Sequence, residues 1–278
     1  MPVIIDGTNG VNTPNTFAFK NRIIDGGFTI NQRGYTSGTS LSSGSYGHDR
    51  WKGGASGGTY TFTQGSTGVN TTITITAGSI IQVIEGANLP EGGTYVLSWT
   101  GTAQGKIGSG SFGASGITGT ITAGTNTNIE FNTGTCGNVQ LEVGSTATSF
   151  DYRPYGTELA LCQRYAINYR SVDGGTFMRY GSGFATGTTT LEINVPFPVQ
   201  MRTSPSLSVT ATASDYAIYV AAGVNPCNSL PTLLVGFSRG PLVTTVVATS
   251  SASFSNSSGG GILSNSNTTS YMLFTAEL

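Results

Sequence analysis

Residues 71–86 read TTITITAGSIIQVIEG. Ile73 and Ile75 alternate with Thr72, Thr74 and Thr76, and Ile81 and Val83 flank Gln82. A period of two puts the apolar side chains on one face of a strand and the threonines and glutamine on the wet face. The pattern recurs on both sides. Tyr60 and Phe62, then Tyr95, Leu97 and Trp99, then Ile129 and Phe131 follow it, as do Val139, Leu141 and Val143 alternating with Gln140 and Glu142. Gly53-Gly54, Gly57-Gly58 and Gly92-Gly93 punctuate these runs as turns. Many short antiparallel strands with one wet face predict a two-sheet sandwich of jelly-roll type over 17–154.

The segment GTELALCQRYAINYR, 156–170, breaks this rhythm. It holds no proline and no glycine past its first residue. Thr157 is placed to cap a helix and Glu158 to sit in its first turn. Leu159, Cys162 and Ala166 would share one face, and Leu161 and Tyr165 another. The segment reads as a short helix running into a strand, at the entry to a second domain, 155–278. There, strand patterns fall at 187–195, 206–212, 215–221, 232–238, 242–249 and 270–276, and SNSSGGGILSNSN, 255–267, reads as a loop. Residues 1–16, with Val3-Ile4-Ile5 followed by Asp6-Gly7, Asn9-Gly10 and Pro14, read as an arm too short to bury anything alone. The expected fold is all-β: an arm and two jelly-roll-like β-sandwiches joined by a short helical segment.

Composition agrees and narrows the function. Only 9% of the 278 residues are charged and 41 are glycine, yet hydrophobic residues make up 37%. Aromatic and β-branched residues are plentiful, so the chain is not of the disordered kind. A net charge of −1, with the basic residues scattered singly, argues against nucleic acid as partner. No run of eighteen apolar residues predicts membrane insertion. MPVIIDGTNG has neither a basic nor a long apolar leader region, the expectation for a chain made in a cytoplasm.

Sites for chemistry are scarce. His48, in GHDRWKGG (47–54), is the only histidine, so a Ser-His-Asp triad would have to use it. Read as a strand, His48 and Arg50 share one face while Asp49 and Trp51 share the other, so Asp49 does not orient the imidazole. On that reading Trp51 plugs the core, Asp49 bonds to backbone or Arg33, Arg50 covers an aromatic or pairs across the sheet, and His48→Ala is nearly silent. Asp25, Asp49, Glu85, Glu130 and Glu142 are carboxylates a glycosidase would need in a pair, but the three glutamates fall on the wet side of their strands. Cys136, Cys162 and Cys227 are far apart and odd in number, predicting free thiols rather than disulfides or zinc ligands. No metal or cofactor is expected, although loop carbonyls and single Asp side chains leave calcium open. Gly108 to Gly113 spells GxGxxG but precedes turn and strand, so it is not a dinucleotide loop. Trp99 belongs to an alternating core face.

Several blocks are similar to one family. NRIIDGGFTINQRG (21–34), GHDRW (47–51), QVIEG (82–86), TYVLSW (94–99) and VQLEVGSTATSFDYRP (139–154) resemble, in order, a domain of bacteriophage tail-fibre and virion-surface proteins. ELALCQRY (158–165) resembles the junction that follows it, and VPFPVQMRTSPSLSV (195–209) a strand of the downstream domain. Asp49, Arg50, Trp51, Gln140, Glu142, Cys162, Gln163, Arg164 and Tyr165 carry this signature in a structural rather than catalytic sense. The resemblance implies a virion structural protein, not an enzyme, whose first domain is like carbohydrate-binding modules. It also implies a homotrimer and an N-terminal arm that binds other virion proteins. The leading expectation is a tail fibre or receptor-binding appendage for host-surface polysaccharide. The alternative is a head-decoration, head-fibre or baseplate protein. A polysaccharide depolymerase is disfavoured because no solenoid period is present. Ligand-binding residues are not singled out by the sequence.

Overall fold

The computed structural model describes residues 4–6, 10–12, 20–171, 176–221, 223–234 and 240–278. Of the arm, β1 (Ile4–Asp6) and β2 (Gly10–Asn12) form an antiparallel pair, while Val3 and Pro14 lie outside the described residues. The chain divides into two units, 1–158 and 159–278. Each is antiparallel β-structure around its own core, so the fold is all-β and sandwich-like in both.

In the first unit β3 (Ser40–Leu41), β4 (Lys52–Thr61), β5 (Ile73–Ile84), β6 (Gly93–Thr100), β7 (Gly105–Ile107), β8 (Ile117–Ile121), β9 (Thr127–Phe131) and β10 (Gly134–Val143) make one curled sheet. Its curl comes from strands that change partners. The first half of β10 pairs with β5 and the second half with β6, across an irregularity between Gly137 and Gln140. Likewise β5 pairs with β10 at Ile73–Ile75 and with β9 at Ile80–Ile84. The layers close over Trp51, Tyr60, Tyr95, Leu97, Trp99, Phe131, Val139 and Leu141, all buried.

The stretch 71–86 departs from simple alternation at its middle. Ile73 and Ile75 face the core as expected, but beyond Gly78 the core residues are Ile80 and Ile84, not Ile81. Gly78 has φ +64°, and a Cβ there would stand 2.2 Å from the Gly57 carbonyl oxygen, so only glycine fits. The register between β4 and β5 shifts around this point. A bulge adds one residue and reverses which parity faces inward.

The helix α1 (Tyr155–Gln163) begins earlier than expected: the Pro154 carbonyl accepts from the Thr157 and Glu158 N–H groups, so Thr157 lies inside it rather than capping it. Ala166 therefore falls not on the helix but at the start of the next strand. In the second unit β11 (Ala166–Arg170), β12 (Arg179–Ala185), β13 (Thr190–Pro196), β14 (Ser206–Val209), β15 (Tyr216–Val220), β16 (Gly223–Pro226), β17 (Thr232–Leu233), β18 (Val243–Thr249), β19 (Gly259–Ser264) and β20 (Tyr271–Thr275) form two sheets. Their orders are β11-β20-β14 and β16-β15-β19-β12-β13-β18-β17. Met272 and Phe274 from the first and Leu191, Ile193, Ile218, Val246 and Ile262 from the second share one core. β19 corrects the reading of 255–267 as a loop. Its glycines pair on both sides, with β12 and β15, where larger side chains supply the packing. Of the strand expected at 232–238, residues 235–238 lie outside the described residues.

Candidate functional site

GHDRWKGG is a turn leading into β4, not a strand. The Trp51 N–H donates to the His48 carbonyl, the Gly47 N–H to the Trp51 carbonyl, and Arg50 sits at φ +70°. A turn has no alternating faces, so His48, Asp49, Arg50 and Trp51 are all buried. Trp51 packs against Phe28, with ring centroids 5.0 Å apart, and its indole N–H donates to the Asp25 carbonyl at 3.0 Å. Asp49 accepts from Gln32 and, at 3.3 Å, from Arg33. Arg50 donates to the Val83 carbonyl at 2.6 Å.

Asp25 is the centre of this knot. Its Oδ1 accepts from the Thr29 and Ile30 N–H groups at 2.7 and 3.1 Å, and its own N–H donates to Glu158 at 2.5 Å. Arg153 in turn donates to both Glu158 oxygens at 3.0 Å. Burial, and then the neighbouring carboxylates Asp49 and Glu158, hold the Asp25 carboxyl well above the usual carboxylate range. A carboxyl group raised in this way is a general-acid candidate, but this one is wholly buried and its partners are the Thr29 and Ile30 N–H groups and the Thr29 hydroxyl.

Gln140 and Glu142 are also buried, against the expectation that they face water. The second half of β10 is covered on its outer side by 20–24 and 148–153. Gln140 donates to Glu142 at 2.8 Å and accepts from the Asp151 N–H, while Glu142 accepts from the Thr148 N–H and hydroxyl at 2.8 and 2.7 Å. Gln82 is buried likewise, its amide pairing both ways with the backbone of Ile24. These polar side chains act as extra strand edges for irregular segments, which period-two reading cannot distinguish from wet-face residues.

The junction signature is equally structural. Cys162 and Tyr165 are buried, and Gln163 ends α1. The Arg164 carbonyl accepts from the Arg202 N–H at 2.7 Å, and the Tyr165 carbonyl from the Ala276 N–H at 2.8 Å. Arg202 closes the loop with donations to the Ala276 and Glu277 carbonyls. The blocks ELALCQRY and VPFPVQMR thus meet each other and the C-terminal strand.

No triad forms around His48. Its Nδ1 lies 3.0 Å from the Tyr60 hydroxyl and its Nε2 3.1 Å from Gln64 Oε1. Burial lowers its pKa to about 4, so the imidazole is neutral. His48 is enclosed in a turn rather than set on a strand face, so the ground for expecting a nearly silent His48→Ala is removed. The three cysteines are free and buried, with the Cys227 thiol pushed up to about 12 by burial. Among the described residues no three His, Cys, Asp or Glu side chains gather as metal ligands.

The surface offers a different kind of site. A cleft of about 550 Å³ opens between β7, β8 and β9. Ile107 and Ile121 form its apolar base, and Ser109, Thr120, Thr122, Thr125, Asn126, Thr127 and Asn128 its rim, with no ionisable side chain. Among the described residues the side chains of Ser109, Thr120, Thr122 and Asn128 make no hydrogen bond. Gly108 and Gly110 of the false dinucleotide motif belong to this cleft, and the strand β8 follows them rather than a helix. The sequence contains no signal for it beyond Thr- and Asn-rich turns.

No protein-family model matches the chain, and no curated protein is similar to it.

Proposed function

We infer that the chain is a bacteriophage virion-surface protein, a tail fibre or receptor-binding appendage that recognises a host-surface glycan without chemical change to it. The single observation that carries glycan recognition is the cleft between β7, β8 and β9. Unpaired hydroxyl and amide groups around an apolar base, with no charge, match the hydroxyl-rich edge and apolar face of a neutral sugar. The family resemblance supplies the virion context, the homotrimer and the docking of the arm on other virion proteins. Non-catalytic action is supported by the buried signature: the His, Asp, Glu and Arg side chains nearest to a catalytic constellation are enclosed in the core.

A second reading, a decoration or baseplate protein that binds other virion proteins, is favoured by exposed apolar side chains such as Tyr152 (71%) and Val69 (54%). One experiment separates the two. Thr120→Trp fills the cleft from an exposed position on β8. On the glycan reading the purified protein adsorbs to host envelopes, and this variant lowers adsorption about tenfold or more, equivalent to about 1.4 kcal/mol, at unchanged melting temperature. Protein that ignores host envelopes but decorates particles at the head, located by labelling intact virions, overturns the glycan reading in favour of the second.

A further inference from the structure

The seven-stranded sheet of the second unit has a core face and an outer face. Cross-strand partners share a face. Phe184 on β12 stands opposite Gly259 on β19, Ser182 opposite Gly261, and Tyr219 on β15 opposite Gly261 from the other side. β19 therefore presents no side chain at Gly259 or Gly261, while its flanking strands carry the exposed rings of Phe184 (53%) and Tyr219 (40%). The two flanking strands are about 9–10 Å apart, a gap that admits a single sugar ring at the exposed Gly259, whereas Gly261 and Leu263 further along the same face are buried. Gly259 is itself exposed, and a Cβ built there would meet nothing within 4 Å.

One end of this trough is charged. Arg179 starts β12, and its guanidinium carbon lies 4.8 Å from the centre of the Tyr219 ring, so its side chain reaches across β19. Among the described residues that guanidinium makes no hydrogen bond and no ion pair. A cation held by an aromatic face, with no partner on its N–H fork among the described residues, is arranged for bidentate capture of a carboxylate. Ser182 stands exposed on β12 between Arg179 and Phe184. The acidic neighbour on this face, Glu192, lies across from Phe184 on the side away from Gly259, with Phe184 intervening.

We propose that this trough binds a pyranose bearing a carboxylate, the acidic sugar unit of a surface polysaccharide. The apolar ring face lies on Phe184 above the Gly259 floor, and the carboxylate meets Arg179. Tyr219 acts as the positioning residue for that guanidinium. The ligand class rests on the glycan reading of the protein, but the site is separate from the neutral cleft of the first unit.

The test uses the full-length protein and defined probes: oligogalacturonates and hyaluronan oligomers, their carboxyl-reduced counterparts, and neutral dextran oligomers. The expected result is that an acidic probe binds about tenfold or more tighter than its carboxyl-reduced form. Arg179→Gln and Phe184→Ala should each remove that preference, and Gly259→Val, which extends into open space, should block binding while the melting temperature holds. Thr120→Trp should leave it intact. Failure of every acidic probe, or undiminished binding by Arg179→Gln, overturns the proposal. If host envelopes or neutral oligomers still bind, the glycan reading survives that failure; if they do not, both fall. A change of oligomeric mass in Gly259→Val or Phe184→Ala, measured by light scattering, assigns the face to contact between copies and also overturns the proposal.

Discussion

His48 and Asp25 are buried in the same polar knot, yet they respond to pH in opposite directions. The His48 imidazole has its pKa lowered from 6.5 to about 4 by burial. The folded state therefore resists its protonation: its contribution to stability is complete above pH 6.5 and is lost as pH falls through about 4. That gap corresponds to about 3 kcal/mol. Asp25 is raised by burial, so its contribution is complete below the ordinary carboxylate value and is lost as pH rises through its folded value. The two partly cancel in the wild type and separate in a variant. His48→Gln should be less stable than wild type at pH 8, because the ring contacts with Phe28 and Phe62 are lost. The gap should narrow by about 3 kcal/mol on going to pH 4, read by denaturant unfolding at a series of pH values. A gap independent of pH would mean that His48 does not titrate between the two states. At this scale the pairing of Asp49 with Arg33 was legible, because an acid and an arginine seek each other when buried. The burial of Glu142 was not, because the irregular segment 148–153 folds back over it and is held there by Lys20 from the far end of the unit, and neither segment has a hydropathy pattern that shows this.

At the scale of elements, glycine decides where the pattern can be read. Period-two alternation located β4, β5, β6, β9 and β10, and with them most of the first core. It failed after Gly78, where the bulge reverses parity, and at β19, where Gly259–Gly261 carry no side chains whose alternation could be seen. The two failures share a cause: glycine shapes a strand through its backbone, and hydropathy records only side chains. Gly78→Ala should cost at least about 1–2 kcal/mol for the left-handed backbone alone, with more from the close Gly57 carbonyl oxygen. Gly156 is the opposite case. It lies in α1 with nothing within 4 Å of a built Cβ, so Gly156→Ala should stabilise by about 0.5–1 kcal/mol. Melting temperatures of the pair should move in opposite directions; a stabilising Gly78→Ala would show that the bulge is not required.

Across the described residues, Asp25, Asp49, Arg50, Glu142 and Glu158 are ionisable side chains enclosed in the first unit, where they hold irregular segments in place. Asp49, Arg50, Trp51, Gln140, Glu142, Cys162 and Tyr165 lie buried in the sandwich and at the junction, so they specify a scaffold, while the proposed recognition uses strand faces and turns outside them. This is why the fold was legible from the sequence and the cleft and trough were not: a threonine on a rim and a glycine on a floor have no distinguishing pattern until strands bring them together. The scaffold itself has two hydrophobic cores, one around Trp51, Tyr95 and Phe131 and one around Ile193, Ile218 and Phe274. A core truncation should therefore be felt by one unit. Trp51→Ala removes a fully buried ring that also bonds to Asp25, and should cost about 3–5 kcal/mol. In scanning calorimetry this lowers the transition of the first unit by roughly 6–20 °C and leaves that of the second in place. Ile193→Ala, buried in the second core, should do the reverse. If either variant displaces both transitions together, the units unfold as one cooperative body, and the surface of one then answers to the core of the other.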